Sequence, residues 1–329
     1  MELHHPTTVT AQLITGRALS VNLQQFEPVG WAEELLPAAI TADVAQLPRL
    51  YVAAGICMLM GRPDDAVGYA QAASVLQDNP GYQPFDPAWA PSREGHAHLY
   101  AGRPDRCVEI YAALAARTGL ARVMGLYGLA AALPTVGRSG EAMAIADDAL
   151  EAARVHANPW WIASAYYACG VAFVETDPAR ALDTFRGGLS YTRQHRLPRA
   201  EAVIAMHAAS LEAVHGDLSE ALNLFSWSID SFHQAGNPTE VGWTFARLAV
   251  FFDRINRPDV AATLYGTTTR HSATSRNTAV AAAIDHVRNN LDTNTYDRCV
   301  ATGEAMDTAD AVRYAHTQIE AARTELTGP

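Results

Sequence analysis

The sequence contains no lysine; all 24 of its basic residues are arginine. A Walker A loop needs a lysine on the β- and γ-phosphates, and Schiff-base chemistry needs a side-chain amine, so both function classes are excluded. Cysteine is scarce as well. Cys57, Cys107, Cys169 and Cys299 lie far apart with no paired spacing. This predicts buried thiols in a reducing, cytoplasmic setting and argues against a disulfide frame or a cysteine zinc site. No window approaches 18 uninterrupted apolar residues, the length a membrane span requires. The N-terminus lacks a basic segment followed by an apolar core, so no secretory signal is expected. Positive charge is also in short supply. A formal net charge of −11 leaves no basic face for phosphates, and nucleic acid is not expected as a partner.

Catalytic signatures are missing too: there is no glycine-rich phosphate loop, no Gly-x-Ser-x-Gly elbow and no Cys–His pairing. His96 and His98 are two residues apart, which on a helix puts them on different faces, so no metal site is expected. His156 and His195 each precede a proline by three residues and read as helix C-terminal residues favoured by the helix dipole. The acidic pairs Glu33-Glu34, Asp64-Asp65 and Asp147-Asp148 are chain neighbours that diverge into solvent. No cofactor and no catalytic residue are expected. An enzyme with dispersed catalytic residues, such as a small-molecule hydrolase, would need a buried polar pocket holding a strongly perturbed titrating group.

What the sequence does contain is a repeat. "GRPDDA" at Gly61 returns as "GRPDRC" at Gly102 and "GRSGEA" at Gly137, then more loosely at Thr176, Gly216 and Asn256. The intervals are 41, 35, 39, 40 and 40 residues, a stacked-repeat signature. Five residues after each marker stands a small residue: Ala66, Cys107, Ala142, Ala181, Ala221, Ala261. Nine residues after it stand Ala70, Tyr111, Ala146, Phe185, Phe225 and Tyr265. Pro159, Pro198 and Pro238 open the following helices. The stretch 217–235 is amphipathic at helical spacing, with Asp217 placed to cap it and Gly236-Asn237-Pro238 to end it. Each unit is a helix–turn–helix pair whose apolar face only its neighbours can cover. Small residue, aromatic four later, then a helix-opening proline resembles the tetratricopeptide pattern, lengthened from the usual period of about 34 to about 40.

The expected fold is therefore an all-α, right-handed superhelical solenoid. Residues 1–44 form an N-terminal cap and entry helix, 45–271 form six helix pairs, and 272–329 form three closing helices, the last capped by Asp307 or Thr308. Residues 77–92, with four prolines, are expected to form a long loop. The arginines that follow the turn residue (Arg62, Arg103, Arg138, Arg257) form a row along one edge. They read as turn punctuation, with anion binding as the alternative.

The remaining functional surface is the concave face, lined by the first helix of each pair. Counting back ten residues from each marker gives Tyr51, Ser92, Tyr127, Tyr166, Met206 and Ala246, and Trp243 and Asp253 fall on the same face. Tyr51, Tyr127, Tyr166, Met206, Trp243 and Asp253 are the candidate ligand- or partner-contacting residues. Packing between helices is the alternative role of those positions.

The wording of the tail is more specific than the repeats. "AATLYG" at Ala261–Gly266, an apolar helix and "LDTNTYDRCVATGEAMDTADAVRYA" from Leu291 resemble a module that closes large actinobacterial regulators. These carry an adenylate/guanylate cyclase domain, a STAND-type ATPase domain and a helical C-terminal region, and relatives add a LuxR-type helix-turn-helix. The entry "FEPVGWAEELLPAA", with Phe26, Glu27, Pro28 and Trp31, looks like the same family. The resemblance implies a tetratricopeptide-like sensor or protein-interaction arm, either a fragment of such a regulator or an arm kept alone. Its partner would be the sibling ATPase or cyclase domain, another protein, or a peptide or small-molecule ligand. A stand-alone scaffold bridging two proteins is the alternative.

Overall fold

A computed structural model describes residues 26–268 and 278–327, and every regular element among the described residues is helical. The entry helix α1 spans Glu27–Thr41 and α2 spans Leu47–Ala54, running on as a 3-10 turn to Met60. Then follow α3 (Pro63–Gln77), α4 (Trp89–Tyr100), α5 (Pro104–Ala115) and α6 (Gly119–Ala132, continued by a 3-10 turn to Val136). The array continues with α7 (Ser139–His156), α8 (Pro159–Phe173), α9 (Pro178–His195), α10 (Pro198–His215), α11 (Leu218–Gln234), α12 (Pro238–Arg254) and α13 (Pro258–Thr268). The chain then forms α14 (Thr278–Asn290), α15 (Thr293–Ala305) and α16 (Thr308–Thr327).

Proline opens most of these helices because its missing N–H falls where no helical partner exists. Side chains cap several of the rest. Asp217 Oδ1 accepts from the backbone N–H groups of Ser219 and Glu220, and Asp307 Oδ1 accepts from that of Asp310 at 2.8 Å. Asn237 Oδ1 accepts from Glu240 N at 3.1 Å, one residue after Gly236 has ended α11 in the left-handed region. The loop from Asp78 is shorter than its prolines suggest. Helix α4 begins at Trp89, so that Pro91 sits in its first turn, where a missing N–H is harmless.

Helices form an α-solenoid of tetratricopeptide-like pairs. Tight contacts divide the described residues into two compact units, residues 26–177 with 190–200, and residues 178–189 with 201–268 and 278–327. Within the first unit each helix from α1 to α8 packs on the next, and the first helices of successive pairs also meet, α4 on α6 and α6 on α8. The small–aromatic spacing does the packing. Ala66, Cys107 and Ala142 are fully buried, and Tyr111 is wedged between Gly95 and Gly128, where any added methyl would strike its ring. Its hydroxyl donates to the Ser92 carbonyl at 2.9 Å, which settles the polar end that burial would otherwise leave unsatisfied. In the second unit Ala221, Phe225, Ile229 and Phe232 form the buried stripe of α11, and α13 crosses α15 at Gly266 and Gly303, where a side chain would meet backbone.

The turn glycines Gly61, Gly102 and Gly137 have φ of 83°, 71° and 74°, a region that other L-residues enter at a cost. The arginines after them are fully engaged. Arg62 donates to Glu33 on α1 at 2.7 Å and to Asp65 at 3.4 Å; Arg103 donates to Asp64 at 2.7 Å and to His98 at 2.9 Å. Arg138 makes a forked pair with Glu141 at 2.6 and 2.7 Å, and in the second unit Arg257 donates to Gln318 and Glu325. Arg62, Arg103 and Arg257 tie their turns to other helices, Arg138 is held within its own helix, and no row of spare cations is left.

Burial pushes the thiols of Cys57 and Cys107 up to about 12, and Cys169 is buried with its Sγ 2.8 Å from the Ala146 carbonyl. Cys299 is partly exposed. Among the described residues one stretch, Gly119–Val136, is long and apolar enough by length and composition alone to cross a membrane, with mean hydropathy 1.3, but 56% of it is buried within the fold. That is the profile of a core helix packed between α5 and α7.

Candidate functional site

In the first unit, the first helices of three successive pairs bring a set of aromatic and basic side chains together. Helix α4 supplies Trp89, Arg93 and His96, one turn apart and therefore on one face. Helix α6 supplies Tyr127, and α8 supplies Trp161, Tyr166 and Tyr167. Trp89 and Trp161 lie 5.8 Å apart between ring centroids, Tyr127 lies 6.2 Å from Trp161 and 6.3 Å from Tyr167, and His96 lies 5.5 Å from both Tyr111 and Tyr127. Tyr166 stands 5.8 Å from Tyr191, which stacks on His195 at 4.0 Å. Tyr51 packs with Phe85 and Trp89 over Val52, Ala73 and Ala90, so the aromatic run reaches α2.

The electrostatics of this cluster are unusual. Arg93, His96, Tyr127 and Trp89 each keep part of their surface open, yet burial lowers Arg93 to about 10 and His96 to about 3. The charges of Arg93 and Arg199 add to the burial effect on His96. The imidazole is thus neutral at ordinary pH, with Nε2 3.0 Å from the Tyr127 hydroxyl. A histidine held near 3 is a feeble general base, so this arrangement suits recognition better than proton transfer.

Arg93 has no carboxylate partner among the described residues, and its buried Nε has no hydrogen bond. The adjacent Glu94 is committed elsewhere, accepting from Gln71 at 3.1 Å and lying 3.6 Å from His98. What Arg93 does have is the Trp89 ring, with its guanidinium carbon 5.9 Å from the centroid.

The sequence-derived positions separate into two groups. Tyr51, Tyr127 and Tyr166 lie within or beside this aromatic run and are half-buried. Met206 is 1% exposed, in the interior of the second unit, and Ser92 and Ala246 are also buried. These three positions point into the helix packing because the ten-residue offset falls about one position short of the open face. Asp253 accepts from His286 Nδ1 at 2.8 Å, so its carboxylate faces the closing helix α14, and Trp243 is half-buried on α12. The residues that the offset missed are Trp89, Arg93 and His96. No local pattern marked them, since α4 also carries Ser92, Glu94 and His98 among its polar residues.

No group of three or more potential metal ligands occurs among the described residues. In the second unit a cavity of about 10 Å³ lies among Ala249, Tyr265, Ile284 and Tyr296. It has room for roughly one water, where about 10–15 Å³ is the minimum, and is no substrate pocket.

No family model and no curated protein matches the chain. Among solved structures, the chain is similar to a Rap protein complexed with competence and sporulation factor, with a TM-score of 0.61 at 13% identity, covering 99% of this chain and 88% of that one. At that identity the likeness concerns the fold, a tetratricopeptide-like helical repeat.

Proposed function

We propose that the chain is a non-catalytic interaction module that takes a protein or peptide partner on the open aromatic face of its first unit. The observation that carries the reading is the cluster of Trp89, Arg93, His96, Tyr127 and Trp161. Rigid amphipathic rings on successive helices, with one unpaired cation among them, are what a binding face provides and what a hydrophobic core avoids. The Rap protein of the same fold was solved with a bound factor, which agrees with a ligand-binding role. The tail wording further suggests a sensing arm of a signalling ATPase, cyclase or transcription regulator. Occupancy would then favour one of two arrangements of the attached domains, by as much as the ligand's affinity differs between them.

A synthetic peptide array probed with the purified chain tests the binding role. Captured peptides should lose at least about tenfold in affinity with the Tyr127→Ala, Tyr166→Ala double variant, since each aromatic anchor is typically worth 1–2 kcal/mol or more. Undiminished capture by that variant, or no capture by the native chain, refutes it. The sensing role predicts that the same variant changes the activity of an ATPase or cyclase joined to the chain. The division into two compact units supports a second reading, a scaffold bridging two proteins, in which the double variant would lose one partner and keep the other.

A further inference from the structure

Arg93 is an anomaly that the fold does not explain. Its side chain lies over the Trp89 ring and against Gly55, with dense protein around it, and no carboxylate answers its charge among the described residues. The nearest polar neighbours cannot do so. Tyr111 gives its hydroxyl proton to the Ser92 carbonyl, Tyr127 is engaged with His96, and His96 is neutral. A partly desolvated cation without a counter-charge costs stability, and groups perturbed in this way cluster at functional sites. The surroundings define what could arrive. Indole and phenol rings on α4, α6 and α8 flank the guanidinium, so the incoming group combines negative charge with an apolar or aromatic neighbour.

We propose that Arg93 is the anion anchor of this face, receiving an acidic side chain of a bound peptide segment while Trp89 and Tyr127, backed by the buried Trp161, seat the adjacent apolar residue. This rests on the peptide-binding reading above and gives it a ligand class. A guanidinium donates two parallel N–H bonds to one carboxylate, and in Arg93 the reachable fork is the end-on one from the two terminal nitrogens, since Nε is buried. The chain's overall negative charge makes this local reversal of sign a selective feature, since an acidic ligand is repelled by most of the surface and accepted here.

The test is an array of short synthetic peptides, each pairing an aspartate or glutamate with an aromatic neighbour, matched to asparagine or glutamine counterparts and to C-terminally amidated forms. The native chain should bind the acidic members at least about tenfold more tightly than the matched amides, and Arg93→Gln should bring the acid-to-amide affinity ratio down to about one. Arg93→Met supplies an independent readout. Removing an unpaired, partly buried cation should leave the melting temperature unchanged or raise it, whereas loss of a residue with a structural counter-ion would lower it. Equal binding of acid and amide by the native chain, an acid preference that survives Arg93→Gln, or a lowered melting temperature for Arg93→Met overturns the anchor but leaves the peptide-binding reading standing. A preference traced to the free C-terminal carboxylate overturns the side-chain assignment alone. No binding by any member overturns both.

Discussion

His96 Nε2 and the Tyr127 hydroxyl meet at 3.0 Å across two consecutive helix pairs, and the imidazole there is neutral. Burial lowers it from 6.5 to about 3, so the folded chain binds this proton less readily than the unfolded chain. The stabilisation is therefore fully present above about pH 6.5 and is lost as pH falls from there towards 3. Urea unfolding between pH 7 and 4 should show a steeper acid loss for the native chain than for His96→Gln. Parallel pH profiles would refute the neutral imidazole.

The approach of α5 to α6 depends on Gly125, where a methyl would overlap the backbone of Leu114 and Ala115. Backbone cannot rotate aside, so Gly125→Ala should destabilise by about 2 kcal/mol or more. Gly68 on α3 has open space around it and an ordinary helical conformation. There the same change should stabilise by about 0.5–1 kcal/mol. Chemical denaturation of both variants gives the comparison, and the two shifts should have opposite signs.

Glu212, 2% exposed, is held by Arg186 at 2.8 Å and by the Asp217 backbone N–H at 3.0 Å, so its charge is neutralised at one oxygen and hydrogen-bonded at the other. Arg186 is 54% exposed, which weakens the pair by solvent screening. Arg186→Ala should therefore cost about 1–3 kcal/mol, less than a fully buried pair would. The Arg186→Ala, Glu212→Gln double variant should recover part of that loss, because it removes the stranded charge. A double-mutant cycle by thermal unfolding measures the difference.

In the first turn the glycine should matter more than the arginine. Gly61 sits at φ 83°, and Gly61→Ala should cost about 1 kcal/mol. Arg62→Gln removes ion pairs that are 40% exposed on the arginine side, and such pairs contribute about 0–1 kcal/mol. Equilibrium unfolding that ranked the arginine well above the glycine would revive a functional role for the turn edge.

The repeat was legible because its signals are local and periodic. A marker every 40 residues or so, a small residue five on and an aromatic nine on report backbone turns and close helix contact, and Gly61, Ala66 and Tyr111 do those tasks. The caps at Asp217 and Asp307 were legible for the same reason. The binding face was less so. A fixed ten-residue offset lands on part-open positions at Tyr51 and Tyr127, whereas Ser92, Met206 and Ala246 fall in the interior, about one position short of the open face. Arg93 could be found only by asking what pairs with it, which depends on elements distant in sequence. The loop prolines misled for a different reason, since Pro91 is compatible with the first turn of α4.

The burial of Cys57, Cys107 and Cys169 beside a partly exposed Cys299 has a practical use. Thiol-specific dyes react through the thiolate, so the folded chain offers one accessible handle, on α15, and the unfolded chain offers four. The chain therefore contains its own counter of global opening. A label on Cys299 would report the closing helices without any cysteine having to be engineered in or removed.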